Sequence, residues 1–297
     1  MRRIFFAVIF VTLIGIEEVL GEVVQIECSA DTMIHELFDA ANFGGHTQVA
    51  SGSTQHVLDG HVTRTRALVR FSLEGKIPPG AALAGASLKV KVLPVPREPS
   101  AAADYELHRM LASWGEGTGT SNGGRAAAGG EAAWKWRANP LEWGEPGGQA
   151  GSDYALSSSA RTNVAEVGEF TFSDPQLVED VKRWLATPAE NLGWMLLCSS
   201  EEAGLTARRF GSREGGSPVV LTLEFASSGV ELRFSSIERQ GTNAVVSWTG
   251  GSAPYQLQSR DIFGGGIWTN AALPETSASR QIPMTNRQRF FRVVSGL

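Results

Sequence analysis

The sequence predicts an all-β protein: a large jelly-roll-like β-sandwich with one short helix and a long Trp/Gly-rich loop, then a second, small β-sandwich. Three observations carry this. Apolar and polar residues alternate in run after run, the period that a half-buried strand requires. Only the stretch that opens at Pro175 and closes at Pro188 switches to helical spacing. The composition agrees, with 42% hydrophobic residues, 34 glycines and 19% charged residues in 297, enough apolar material for a core and enough glycine for many turns.

Taken in order, MRR followed by IFFAVIFVTLIGI is a charged start and an apolar stretch short for a membrane span, with the small residues Val19 and Gly21 before a cleavage point. Residues 1–21 therefore read as a signal peptide, which predicts a secreted or periplasmic chain beginning at Glu22. The alternative is an uncleaved N-terminal anchor. A strand over Val23 to Cys28 is followed by short polar turns through Gly52. RALVRFSL and ASLKVKVL alternate cleanly, and DYELHRM adds a strand with Tyr105 and Leu107 inward.

From Ala112 to Gly168 periodicity disappears, yet Trp114, Trp134, Trp136 and Trp143 sit among the glycines. Flexible linkers lack large aromatics, so an ordered excursion packed on the sandwich is expected, and long ordered loops often bind ligands. Ser173 or Asp174 caps a helix with Pro175 in its first turn and Leu177, Val178, Val181, Trp184 and Leu185 on one face. GWMLLC is apolar on both faces, as a central strand between that helix and a second sheet would be. Val219, Leu221, Leu223 and Phe225 close a domain over 22–225. A linker at 226–229 leads to residues 230–297, where short strands carrying Trp248, Tyr255 and Leu257 resemble a shortened immunoglobulin/fibronectin type III-like sandwich.

The Trp-bearing helix, NLGWMLL, TARRFGSRE and the proline-led last strand together resemble the DNRLRE repeat-type module of secreted bacterial proteins, grouped with carbohydrate-binding module family 96. Upstream, NFGG at Asn42, RALVRFSLEGKIPPGAALAGASLKVKV and LHRMLASWGEGTG resemble the same module in the same order, so the likeness spans about residues 30–225. It implies the sandwich fold and, with less specificity, carbohydrate binding. The chain departs from the pattern at Gln149, where relatives are expected to carry an aspartate after the paired glycines.

A net charge of -5 with both signs scattered argues against a nucleic-acid surface. His35, His46, His56, His61 and His108 lack metal spacing, and no nucleophile motif appears. Asp31, Asp39 and Asn42 are candidate ligands for a structural calcium ion, with turn residues as the plainer reading. Cys28 and Cys198 read equally as a disulfide or as two buried thiols. A hydrolase would draw two carboxylates from Glu116, Glu131, Glu142, Glu145 and Asp153. A uronate lyase would use Tyr105, His108 and Arg109, or Tyr154 and Arg161.

Trp184, Trp194 and Trp248 read as core. The ligand surface expected from sequence is Trp134, Lys135, Trp136, Arg137 and Trp143, with indoles stacking on sugar rings and cations pairing with uronate carboxylates. The competing expectation is that these indoles anchor the loop. The reading is a non-catalytic polysaccharide-binding protein favouring acidic chains. Its alternatives are a lyase or hydrolase on the same sandwich, or a structural matrix protein.

Overall fold

The computed structural model describes residues 22–77, 82–95, 102–226, 232–251, 253–261, 266–283 and 289–295. The expected signal peptide and most of the expected linker lie outside these residues. The described residues form two compact all-β units, one within 21–226 and one within 227–297.

In the first unit the strands of the main sheet network are β1 (Val23–Glu27), β2 (Ala30–His35), β3 (Gln48–Leu58), β4 (His61–Arg70), β5 (Ala82–Leu93), β6 (Ala103–Arg109), β7 (Ala160–Val164), β8 (Gly168–Ser173), β9 (Trp194–Cys198), β10 (Arg208–Gly211) and β11 (Val220–Ala226). One hydrogen-bonded path runs β1-β11-β5-β10-β3-β4-β9-β6-β7, with β8 added to β5 and β2 to β4. It becomes a sandwich because β3 belongs to both layers. Gln48–Ser51 pairs with β10, whereas Gly52 and Ser53 pair with β4. At the changeover Gly52 has φ +108°, and a Cβ there would lie 2.8 Å from the backbone of Ala207. Only glycine fits this corner, where one strand turns from sheet to sheet.

Between the layers lies the main core, including Leu88, Val90, Val92, Leu107, Phe172, Trp194, Leu196, Phe210, Leu221 and Leu223. Helix α1 (Pro175–Ala186) forms as its sequence dictates. Asp174 caps it by accepting the Gln176 N–H at 2.8 Å, and Leu177, Val181 and Trp184 are buried with Val178 and Leu185 beside them. The indoles of Trp184 and Trp194 lie 4.3 Å apart. Asp180, buried on the same face, accepts the Trp194 Nε1–H at 3.0 Å and pairs with Arg109 at 3.3 Å.

The two-faced burial of β9 has a cause different from the one expected. Trp194, Leu196 and Cys198 face the main core that the helix and second sheet share, but Met195 and Leu197 face the long loop on the outer side. No helix among the described residues is long and apolar enough to cross a membrane.

The second unit has two three-stranded antiparallel sheets: β12 (Arg233–Gln240), β13 (Asn243–Thr249) and β16 (Ser279–Pro283), then β14 (Tyr255–Arg260), β15 (Thr269–Asn270) and β17 (Phe290–Ser295). Ala244, Val246, Trp248, Leu257, Ile282 and Phe291 fill the space between them.

Candidate functional site

β7 closes the expected aperiodic stretch early, leaving the loop 112–159 as a cover most of whose aromatics point inward. Trp114, Trp134, Trp143 and Tyr154 pack with Ile34, Leu68, Met110, Met195 and Leu197 in a second apolar cluster outside the sandwich. Arg66 runs up through it. Its guanidinium donates to Gly147 O at 2.9 Å and Gly148 O at 3.1 Å, pairs with Glu201, and lies 5.5 Å from the Trp134 ring and 5.9 Å from that of Tyr154. Gly147 has φ +89°, and a Cβ there would sit 2.5 Å from the Trp134 ring, so the indole needs this glycine beneath it. Asp153 ties the same turn by accepting the Gly144 and Gln149 N–H groups at 2.8 and 2.7 Å.

The two glycine motifs of the resemblance lock into one another. Asn42 Nδ2 donates to Glu116 O at 2.7 Å and Ala132 O at 2.9 Å, while its Oδ1 accepts from Gly44 N and Gly119 N. A Cβ on Gly44 would lie 2.0 Å from Glu116 O, and one on Gly119 the same distance from Asn42 O. NFGG and WGEGTG are therefore the two halves of a backbone-to-backbone contact.

This arrangement corrects the surface expected from sequence at Trp134 and Trp143. Trp134 and Trp143 are 3% and 5% exposed and anchor the loop, with the Trp143 Nε1–H donating to Ala133 O at 2.9 Å. Trp136 is half-buried. Of its cationic neighbours, Lys135 pairs with Asp39 at 2.8 Å and Arg137 donates to Ser113 O and Oγ at 3.0 and 2.9 Å. Trp134 and Trp143 are drawn inward because a Gly-rich segment has little other apolar surface with which to hold itself down.

The remaining candidates are also placed. Asp31, Asp39 and Asn42 do not meet: Asp39 faces Lys135, Asn42 has its amide engaged by the loop and by Gly44, and Asp31 joins Glu116 and Glu214, their oxygens within 4.8 Å of one another. Arg213 supplies the counter-charge there, 2.9 Å from Glu116 and 2.7 Å from Glu214. Burial, countered by the N–H of Arg213, pushes the Asp31 carboxyl up to about 6. Cys28 and Cys198 are separate buried thiols, the first donating to Asp31 Oδ2 at 3.2 Å, and burial raises both above the usual range.

Neither lyase constellation forms. Tyr105 is fully buried and bonded to Ser51 O and Thr206 O, with burial pushing its phenol up. His108 is held between Ala155 O and Glu106, Arg109 belongs to Asp180, and Arg161 pairs with Glu106 while Tyr154 lies under Arg66.

A cleft of about 580 Å³ opens instead at the corner where β3 changes sheets. β2 and the 3-10 turn after it bring His35 and Phe38 to one wall, β3 contributes Gln48, Thr54 and His56, and β10 contributes Arg209. Asn122 and Leu205 close the rim, the latter a non-glycine residue at φ +61°. No aspartate or glutamate is among the lining residues. The nearest acid in sequence, Glu36, is fully engaged: burial would raise it, but hydrogen bonds from Arg64 and His61 outweigh that and bring its carboxyl down to about 2.

His35 is a donor. Burial first, then the neighbouring His56, hold its pKa near 4, so it is neutral at pH 7. Its Nδ1 accepts the Leu37 N–H at 3.2 Å, which puts the proton on Nε2. His46 is engaged at both nitrogens, with Gln48 O at 3.1 Å and Asn122 Oδ1 at 3.3 Å. Arg209 has no ion-pair partner among the described residues. Arg208, its neighbour in β10, turns inward and donates to Thr206 O at 3.0 Å.

The cleft thus offers donors, one guanidinium and the half-exposed ring of Phe38, and among the described residues no pair of opposed carboxylates. Its residues come from positions 33–65, 95, 122 and 205–209, which sequence reasoning did not assemble. The one available signal was the doublet Arg208–Arg209, whose alternation in a strand must send one guanidinium to each face. Neither protein-family models nor curated proteins give a match to this chain.

Proposed function

We propose that residues 22–226 form a secreted, non-catalytic carbohydrate-binding module whose cleft at the β3 corner takes a segment of an acidic, uronate-containing polysaccharide. The observation that carries the reading is a concave site walled by His35 Nε2–H, Gln48, Asn122 and Arg209 with no carboxylate among its lining residues. Sugar hydroxyls and ring oxygens are acceptors that such donors satisfy, and a uronate carboxylate matches the planar fork of an arginine with no ion-pair partner among the described residues. Phe38, 38% exposed at the rim, offers an apolar face for a sugar ring. The likeness to the DNRLRE module supports the same class.

Binding is favoured over catalysis by the state of His35, because a neutral imidazole whose lone pair already accepts a backbone N–H is unavailable as a base. The test is isothermal titration of the chain beginning at Glu22 with oligouronates and with neutral oligosaccharides, while absorbance of an unsaturated uronate product is followed in parallel. Saturable, salt-sensitive binding of oligouronate without turnover is expected. Turnover would move the protein to the lyases, and preference for neutral sugars would remove the role given to Arg209.

A further inference from the structure

We propose that the second unit carries an anion-binding face of its own, built from Arg260, Trp268 and Arg292, that takes the carboxylate or sulfate groups of an acidic polysaccharide. The inference shares its ligand class with the cleft reading but rests on different residues in a different unit. Both guanidinium groups lie over the indole of Trp268, at 4.4 Å for Arg260 and 4.9 Å for Arg292. Strand pairing builds the arrangement. Gln258 of β14 stands opposite Arg292 of β17 on one side and Asn270 of β15 on the other, while Arg260 ends β14 two residues later on the same face. Gln258 then links the row, accepting from Arg292 Nε at 2.8 Å and donating to Asn270 Oδ1 at 2.9 Å.

Among the described residues these two cations have no ion-pair partner. Residues 227–297 contain seven arginines and four carboxylates, whereas the whole chain carries a net charge of -5. Among the described residues Asp261 pairs with Arg289 at 3.5 Å and Glu275 with Arg280 at 2.9 Å, so neither carboxylate reaches Arg260 or Arg292. Arg260 Nε is buried with no hydrogen-bond partner among the described residues. Two like charges gathered on one ring repel each other, and stacking alone is a modest compensation. An anion held at these guanidinium groups would offset that repulsion and accept from N–H groups that have no partner among the described residues. The forks are already held by the indole and by Gln258, so little side-chain freedom is lost on binding. Gln258 and Asn270 beside them suit the hydroxyls that accompany acidic groups on a sugar.

The experiment uses the full chain from Glu22 and titration calorimetry with a short oligouronate, on wild type, R260Q/R292Q, R260K/R292K, the cleft variant R209Q and the control R239Q. Arg239 is an exposed arginine on the other sheet of the same unit. Melting temperatures are compared first, and the lysine pair, which keeps charge and stem, reports on the fork if the glutamine pair folds poorly. Wild type should bind two oligosaccharides per chain, R260Q/R292Q one, and R239Q two, with R260K/R292K losing about tenfold or more at the second site.

One site in wild type that is lost in R260Q/R292Q and kept in R209Q would uphold this proposal while sinking the cleft. Unchanged stoichiometry in R260Q/R292Q would overturn it. So would equal loss in R239Q, which would mean diffuse charge. Ile267 and Leu273 stand 85% and 84% exposed nearby in sequence. Anionic phospholipid vesicles are therefore titrated as well, and their binding through Arg260 and Arg292 in place of the oligosaccharide would overturn the ligand assignment.

Discussion

Replacing Trp134 by alanine separates an anchored loop from a binding platform. The indole is 3% exposed, lies under Arg64 and Arg66 at 5.5 Å from each, and rests on Gly147. Truncating a buried tryptophan typically costs about 3–5 kcal/mol, because lost transfer energy is compounded by a cavity that cannot fully close. The loop retains Trp114, Trp143 and Tyr154 in the same cluster, so partial collapse is available and the lower half of that range is expected. Trp143→Ala should cost a similar amount. It also removes the donor to Ala133 O, but that carbonyl keeps the Trp136 N–H at 3.2 Å, so the added penalty stays small. Trp136→Ala, at a half-buried position, should cost about 1 kcal/mol or less. The assay is urea unfolding with hydrogen exchange across 112–168, which should show faster exchange in the first two variants and little change in the third. If Trp134→Ala and Trp136→Ala prove equally mild, the loop is not held by its buried indoles and the reasoning is wrong.

Gly44→Ala places a Cβ 2.0 Å from Glu116 O, and the NFGG–WGEGTG contact must separate to admit it; calorimetry should show a large fall in melting temperature, and a near-neutral result would contradict the contact. The Asp31 carboxyl, raised from 3.8 to about 6 chiefly by burial, binds its proton more readily folded than unfolded. Its contribution therefore grows as pH falls from above 6 toward 4 and is lost as pH rises through 6. In Asp31→Asn that gain should be absent, so the wild-type advantage over the variant should be larger at pH 5 than at pH 8; parallel pH profiles would remove the assignment. Cys28 and Cys198, buried with raised pKa values, should resist alkylation in the native protein at pH 8 and both react after unfolding; an unreactive pair after unfolding without reductant would show a disulfide instead.

The strands and α1 were legible because periodicity is local: alternation in Val219 to Phe225 and the Leu177, Val181, Trp184 spacing each follow from one element packing on one core. The corner at Gly52 was not legible, since what demands glycine there is the backbone of Ala207, far along the chain. Nor was the direction of the loop tryptophans. Indoles spaced as Trp134 and Trp136 are compatible with a platform or an anchor, and the outer face of β9 decides between them through Met195 and Leu197. An apolar run in β9 does not say by itself that its outer face is covered by a loop. His35, His46 and His56 show no metal spacing in the sequence, and the wall that makes them a cleft, Arg209 with Asn122, comes from two other parts of the chain.

The central claim is that ligand enters the β3 corner and does not lie on the Trp loop. It is tested most directly by titrating one oligouronate into Arg209→Gln and Trp136→Ala after each is shown to keep its melting temperature. Arg209 lines the cleft with no ion-pair partner among the described residues, whereas Trp136 lies on the loop outside it. The account predicts that Arg209→Gln weakens the cleft site by about tenfold or more, with a reduced salt dependence, while Trp136→Ala binds as wild type. Full affinity in Arg209→Gln together with loss in Trp136→Ala would contradict it and return the ligand to the loop.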